Sequence, residues 1–280
     1  MKKTILILLI VVSPFVAKST DTTKVFSRNA IYSVSGAFTA LANWNAGGEN
    51  SSNISFLIRE NWVKKGPSFT TVHLLEGNYG LSRQAGTLTK NADRLEFTTT
   101  LTGSRKVTEW NLSSQFNVKT QLAAGYAKGD TTLIPVSNFG APIYGQFSFG
   151  VGNNSREIWQ LFLSPMAGKS TTVLDADLRD KAAFGVDAGA TWRLEAGAKI
   201  TLNYNQQFSD AFSVTAKSDI FYNYWGPLSA TDFMLDVIAL YKIEEAFSVN
   251  AHVQLIRDID QIDAWQRRSV LGIGLAYTIK

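Results

Sequence analysis

The chain has 280 residues, a formal net charge of +4, 18% charged and 12% aromatic residues, and no cysteine. That length suits one large all-β domain, and the missing cysteines exclude a disulfide framework, so stability must come from the fold itself. The positive charge is scattered without a Lys/Arg block, which excludes a nucleic-acid surface, and a mean hydropathy of −0.02 is far too polar for a bundle of membrane helices.

The chain opens with Lys2 and Lys3, an apolar run over 5–12 and the small-residue site Ala17-Lys18-Ser19. This is the order of an export signal, and the run is too short for a spanning helix. Residues 1–19 are expected to be a cleaved signal peptide and 20–280 a single barrel domain.

Residues 110–122, WNLSSQFNVKTQL, carry the pattern that repeats through the rest. Trp110, Leu112, Phe116, Val118 and Leu122 share one parity, and Asn111, Ser113, Gln115, Asn117, Lys119 and Gln121 the other. Side chains alternate across a strand, so one face is apolar and the other polar. Similar alternation marks 31–42, 53–63, 68–81, 95–102, 142–152, 157–163, 191–204, 212–225, 233–243, 247–256 and 269–280. That predicts about twelve strands. Short connections (64–67, 104–106, 153–155, 206–210, 244–245) alternate with long ones (43–52, 82–94, 123–141, 164–190, 226–232, 257–268). The expected fold is a transmembrane up-and-down antiparallel β-barrel in the cell outer membrane, with both termini periplasmic and the long loops extracellular. Three features set the apolar face outward. The strands are long, and rings such as Trp110, Trp192, Tyr204, Tyr241 and Tyr277 gather near segment ends. The polar parity holds Gly150, Gly152, Gly197, Gly272 and Gly274, small residues that a crowded interior needs.

Charges on the polar parity are lumen candidates. Arg193, Glu195, Lys217, Asp219 and Asp236, from three consecutive strands, are expected to form one network. They would either pack a filled lumen or line a water-filled passage. His252 reads as a satisfied interior histidine. His73 has lipid-facing parity, as in an outer-membrane phospholipase that sets a Ser-His pair on its wall, but no serine of matching parity lies near it on its strand. The chain is therefore expected not to be an enzyme. No metal site or cofactor is expected; Asp258, Asp260 and Asp263 are the weak carboxylate candidates and lack the EF-hand order. Leu174 and Leu178 follow Thr172 in the loop 164–190, where a short helix could form a lid or plug or be a plain surface excursion. Gly47-Gly48 reads as a tight extracellular turn. The expected partners are outer-membrane lipids and, during insertion, the barrel-assembly machinery, with no nucleic acid and no protein partner named. Two roles fit: a narrow pore for small solutes, or a non-conducting structural or accessory barrel of an envelope complex.

Several stretches carry a resemblance: LANWNAGGENSSNISFL (41–57), TQLAAGY (120–126), NFGAPIY (138–144), LFLSPMAGK (161–169), AAFGVDAG (182–189) and LGIGLAYTIK (271–280). In these the chain resembles outer-membrane barrels of Bacteroidota catalogued as domain of unknown function 3078. The resemblance implies the fold and the location. It implies no activity, because none is assigned to the family, and no functional residues carry over.

Overall fold

The computed structural model describes residues 26–40, 50–84, 86–103, 110–127, 134–153 and 158–279. The export signal and the Gly47-Gly48 turn read from the sequence lie outside these. Twelve strands form: β1 (Phe26–Thr39), β2 (Ser51–Lys65), β3 (Phe69–Gln84), β4 (Thr87–Gly103), β5 (Trp110–Thr120), β6 (Ile143–Asn153), β7 (Trp159–Thr172), β8 (Trp192–Gln207), β9 (Phe212–Asn223), β10 (Asp232–Lys242), β11 (Phe247–Asp258) and β12 (Ile262–Ile279). Each pairs antiparallel with its neighbours in sequence. β1 then closes the ring on β12, from Ala30 opposite Ile279 to Gly36 opposite Ile273. The fold is thus an up-and-down transmembrane barrel with no free sheet edge. Among the described residues, no helix is long and apolar enough to cross a membrane.

Alternation decides which side chains meet which solvent. Leu112, Phe116, Phe147, Phe149, Leu194, Ile200, Val253, Leu271, Ile273 and Leu275 all point outward and are exposed. At about 2 kcal/mol for each large apolar side chain left in water, these ten alone would cost about 20 kcal/mol. A contiguous outward apolar belt of this size marks a membrane-facing surface. Trp110, Tyr241 and Tyr277 stand exposed at the end where β1 begins and β12 ends, called here the turn end. Trp192, Tyr224 and Trp225 stand exposed at the opposite loop end. Amphipathic rings favour these two heights.

Three boundaries differ from the sequence reading. The long loops expected at 82–94 and 257–268 are tight hairpin turns, because β3 runs to Gln84, β4 starts at Thr87 and β12 starts at Ile262. These hairpins extend past the apolar belt, where both faces meet water, so pairing continues after the alternation has stopped. β7 runs on to Thr172, through Pro165. An extra residue between Ser164 and Ala167 makes a bulge against both β6 and β8. A bulge is a place where a strand tolerates proline. The Ser164 hydroxyl lies 2.8 Å from the carbonyls of both Phe149 and Met166 and fastens the bulge. Gly150 faces it, and a Cβ there would lie 2.0 Å from the Leu163 carbonyl oxygen, so only glycine fits.

Candidate functional site in the lumen

The inward face is polar and crowded. Its charged groups fall into two clusters, and the five candidates divide between them. Arg193 and Glu195, two apart on β8, share a side and pair at 2.7 Å near the loop end. Arg193 also grips Asp260 at 2.5 Å and donates to the Gly185 carbonyl. Lys169 of β7 lies 3.6 Å from Glu195 and 2.5 Å from Asp232 of β10.

Lys217, Asp219 and Asp236 belong to the second cluster, at mid-height. Lys217 of β9 reaches Glu96 at 2.5 Å, Glu76 at 3.4 Å and Asp219 at 3.5 Å. Arg94 of β4 holds Asp236 of β10 at 2.9 Å and lies 3.6 Å from Glu76, which Arg59 of β2 also pairs at 3.0 Å. Lys199 lies 3.6 Å from Asp219, which accepts from the Thr201 hydroxyl at 2.5 Å. In the closed ring of twelve, β9 and β3 stand six places apart, and so do β10 and β4. The Lys217–Glu76 and Arg94–Asp236 contacts therefore join opposite walls and span the lumen. The side chains of Lys217, Glu76, Glu96 and Asp236 are at most 4% exposed. Charges this deep persist only when paired and hydrogen-bonded.

The expected single network of five neighbours is thus corrected. Within one strand, β8 pairs Arg193 with Glu195 and β9 pairs Lys217 with Asp219. The stronger partners come from the far wall or from segments the alternation had left as loops: Arg94, Lys169, Asp232 and Asp260. Arg94 shares parity with Glu96, two residues on, and that signal could have found it.

His252 behaves as an interior histidine with every ring nitrogen engaged. Nδ1 faces two donors, Asn78 at 3.0 Å and Arg268 at 3.2 Å, so it accepts, and Nε2–H donates to Asp236 at 3.1 Å. His73 does point outward, in regular register opposite Trp62 and Thr99. Its Nδ1 lies 3.0 Å from the Thr99 hydroxyl and its ring stacks on Phe97. Asp258, Asp260 and Asp263 do not converge. Asp258 accepts from the Asp260 amide and from Gln261, Asp260 pairs with Arg193, and Asp263 turns outward to Arg257 at 2.6 Å. Among the described residues no His/Cys/Asp/Glu group is arranged to hold a metal ion.

The connection after β7 holds the short helix α1 (Ala176–Asp180). It starts later than expected, capped by Asp175 rather than Thr172. Asp175 accepts from the Leu178 amide at 3.1 Å and from Asn138 Nδ2 at 2.9 Å. The Asn138 hydrogen bond, aided by the helix amides, holds this carboxyl below the usual range. Leu178 packs with Ala141, Val173 and Val186 in a small core at the loop end, while Leu174 is exposed. Between this end and the mid-height cluster lies a cavity of about 90 Å³, lined by Lys119, Tyr144, Lys169, Lys199, Phe221 and Asp258 among others. No α1 residue lines it.

No curated protein matches the sequence. Among solved structures, an outer membrane channel from Pseudomonas putida F1 is similar at 10% identity and TM-score 0.40, over 91% of this chain and 95% of that one. The translocator domain of the autotransporter NalP from Neisseria meningitidis is similar at 10% identity and TM-score 0.38, over 89% and 88%. Outer membrane phospholipase A from Escherichia coli is similar at 12% identity and TM-score 0.38, over 89% and 95%. Such distant likenesses carry no argument about role. The enzyme among them nevertheless corrects the expectation that the chain is not an enzyme, because a barrel of this kind gives no ground for excluding catalysis. Residues 38–126, from the end of β1 to just past β5, match the model of the family described as protein of unknown function (DUF3078).

Proposed function

We propose that this chain is an outer-membrane barrel whose lumen is sealed at mid-height, a non-conducting structural or accessory component of the cell envelope. The carrying observation is the pair of contacts between opposite walls, Lys217–Glu76 at 3.4 Å and Arg94–Asp236 at 2.9 Å. Where side chains from facing strands touch, no solute-sized path remains between them. The apolar belt and its two aromatic rims support residence among outer-membrane lipids, with insertion by the barrel-assembly machinery. The short connections beside the start of β1 and the end of β12 support a periplasmic turn end.

A narrow pore for small solutes is the second reading, and the cavity beneath the loop end favours it. It requires the mid-height ion pairs to part. Planar-bilayer recording of the purified barrel separates the two. The sealed lumen predicts no unitary steps in the wild type, and steps in a variant that removes both Arg94 and Lys217. Reproducible wild-type steps would overturn it.

A further inference from the structure

We infer that the cavity beneath the loop end binds a small oxyanion, a phosphate or carboxylate group, through Lys119, Lys169 and Lys199. The strand register brings these lysines together. Lys119 sits opposite Tyr144, and Lys169 opposite Gln146, on the two sides of β6. Lys199 reaches over from β8 to donate to Gln146 Oε1 at 2.6 Å. The lysine-bearing strands β5, β7 and β8 thus turn three ammonium groups toward one space.

Hydrogen-bonding capacity decides the sign of the ligand. Each carboxylate at the cavity is engaged through at least one oxygen, although Glu96 Oε2 is buried without a hydrogen-bond partner. Glu96 accepts from Lys217 at 2.5 Å and Asn117 at 2.7 Å, and Asp232 accepts from Lys169 at 2.5 Å. Asp219 accepts from Thr201, and Asp258 from Gln261 and the Asp260 amide. The ammonium groups are not used up. Each carries three donors, and Lys169 and Lys199 each spend one on the bonds just named. Among the described residues Lys119 has no carboxylate within 4 Å; its Nζ lies 4.8 Å from the centre of the Tyr144 ring. The cavity therefore offers surplus charged donors and few free acceptors, which is the complement of an oxyanion. Its volume of about 90 Å³ is several times the ~15 Å³ that one water needs, enough for one such group.

This goes beyond the sealed lumen and does not depend on it, because conductance tests one and calorimetry the other. Isothermal titration of the full protein in detergent, with inorganic phosphate in one arm and succinate in another, is run at ionic strength fixed with chloride. One-site saturable binding is expected in at least one arm, and the arm that binds identifies the phosphate or carboxylate source. Lys119→Met should weaken it at least tenfold, while Lys64→Met, on an exposed part of β2, leaves it unchanged. Lys119→Gln gives the same reading should the methionine variant not fold. No saturable heat in either arm, or equal affinity without the Lys119 charge, would overturn the site.

Discussion

Replacing Lys217 by methionine tests the lumen most directly. The side chain is 2% exposed and serves three carboxylates, Glu96 at 2.5 Å, Asp219 at 3.5 Å and Glu76 at 3.4 Å. Methionine keeps the length and removes the charge, leaving the carboxylates with Arg94, Arg59 and Lys199. Removing one member of a buried pair costs about 3–5 kcal/mol, mostly because the remaining charge stays buried without compensation. With three acceptors served by one ammonium, the upper end applies, about 5 kcal/mol. Adding Glu96→Gln removes the carboxylate with the shortest contact, so the double variant should lose less than the sum of the singles. Guanidinium unfolding followed by tryptophan fluorescence, in one detergent throughout, gives all three values. A loss below about 1 kcal/mol for Lys217→Met would mean that water solvates this cluster as it does surface pairs. The reasoning for a filled lumen would then be wrong.

Other expectations follow from the wall, the bulge and the loop. Ile273→Arg, at the centre of the outward belt on β12, should cost about 2–4 kcal/mol in lipid, while Ser269→Arg near its loop-end edge costs less than about 1 kcal/mol. Equal costs in unfolding from liposomes would contradict the placing of the belt. Gly150→Ala should destabilise by about 3 kcal/mol or more, since its Cβ meets the bulge carbonyl at 2.0 Å. Gly168→Ala, with nothing within 4 Å of the new carbon, should be neutral or gain about 0.5 kcal/mol, with thermal melts of the two variants giving both values. Asp175→Ala should cost about 1 kcal/mol of local stability as a lost helix cap, read as faster amide exchange at Leu178. The Asp175 carboxyl titrates lower in the folded loop than when unfolded, so its contribution is full above the unfolded value near ~4 and fades as pH falls through the folded value. Exchange at Leu178 that does not deviate from its intrinsic pH dependence over that range would discount the cap.

Much of the architecture was legible because lipid and lumen impose a period of two. Phe147 and Phe149 face out and Tyr144 and Ser148 face in, as their alternation requires. Reading failed where that constraint lapses. The β3–β4 hairpin protrudes beyond the lipid and is polar on both faces, so alternation is first clear at Leu95 and Arg94, at mid-height on β4, reads as the last residue of the loop. Lys169 was hidden differently. The extra residue at the Ser164–Ala167 bulge swaps the parity of everything after it, so a strict alternation stops at Leu163.

A second limit is geometric. Alternation says that Lys217 points inward, but not which inward group it meets. Its partners Glu96 and Glu76 are 121 and 141 residues away in the chain. They become neighbours only because twelve strands close, which puts β9 across from β3 and β10 across from β4. The same fact ties the seal to the strand number. Adding or removing one hairpin would change which strands face each other and widen or narrow the gap between walls. Lys217 and Arg94 would then be left facing side chains chosen for other neighbours. Ion pairs between facing walls are therefore a property of the closed ring as a whole, and they favour closure at twelve over any other count. A charge network that spans the diameter thus helps to specify the barrel that contains it.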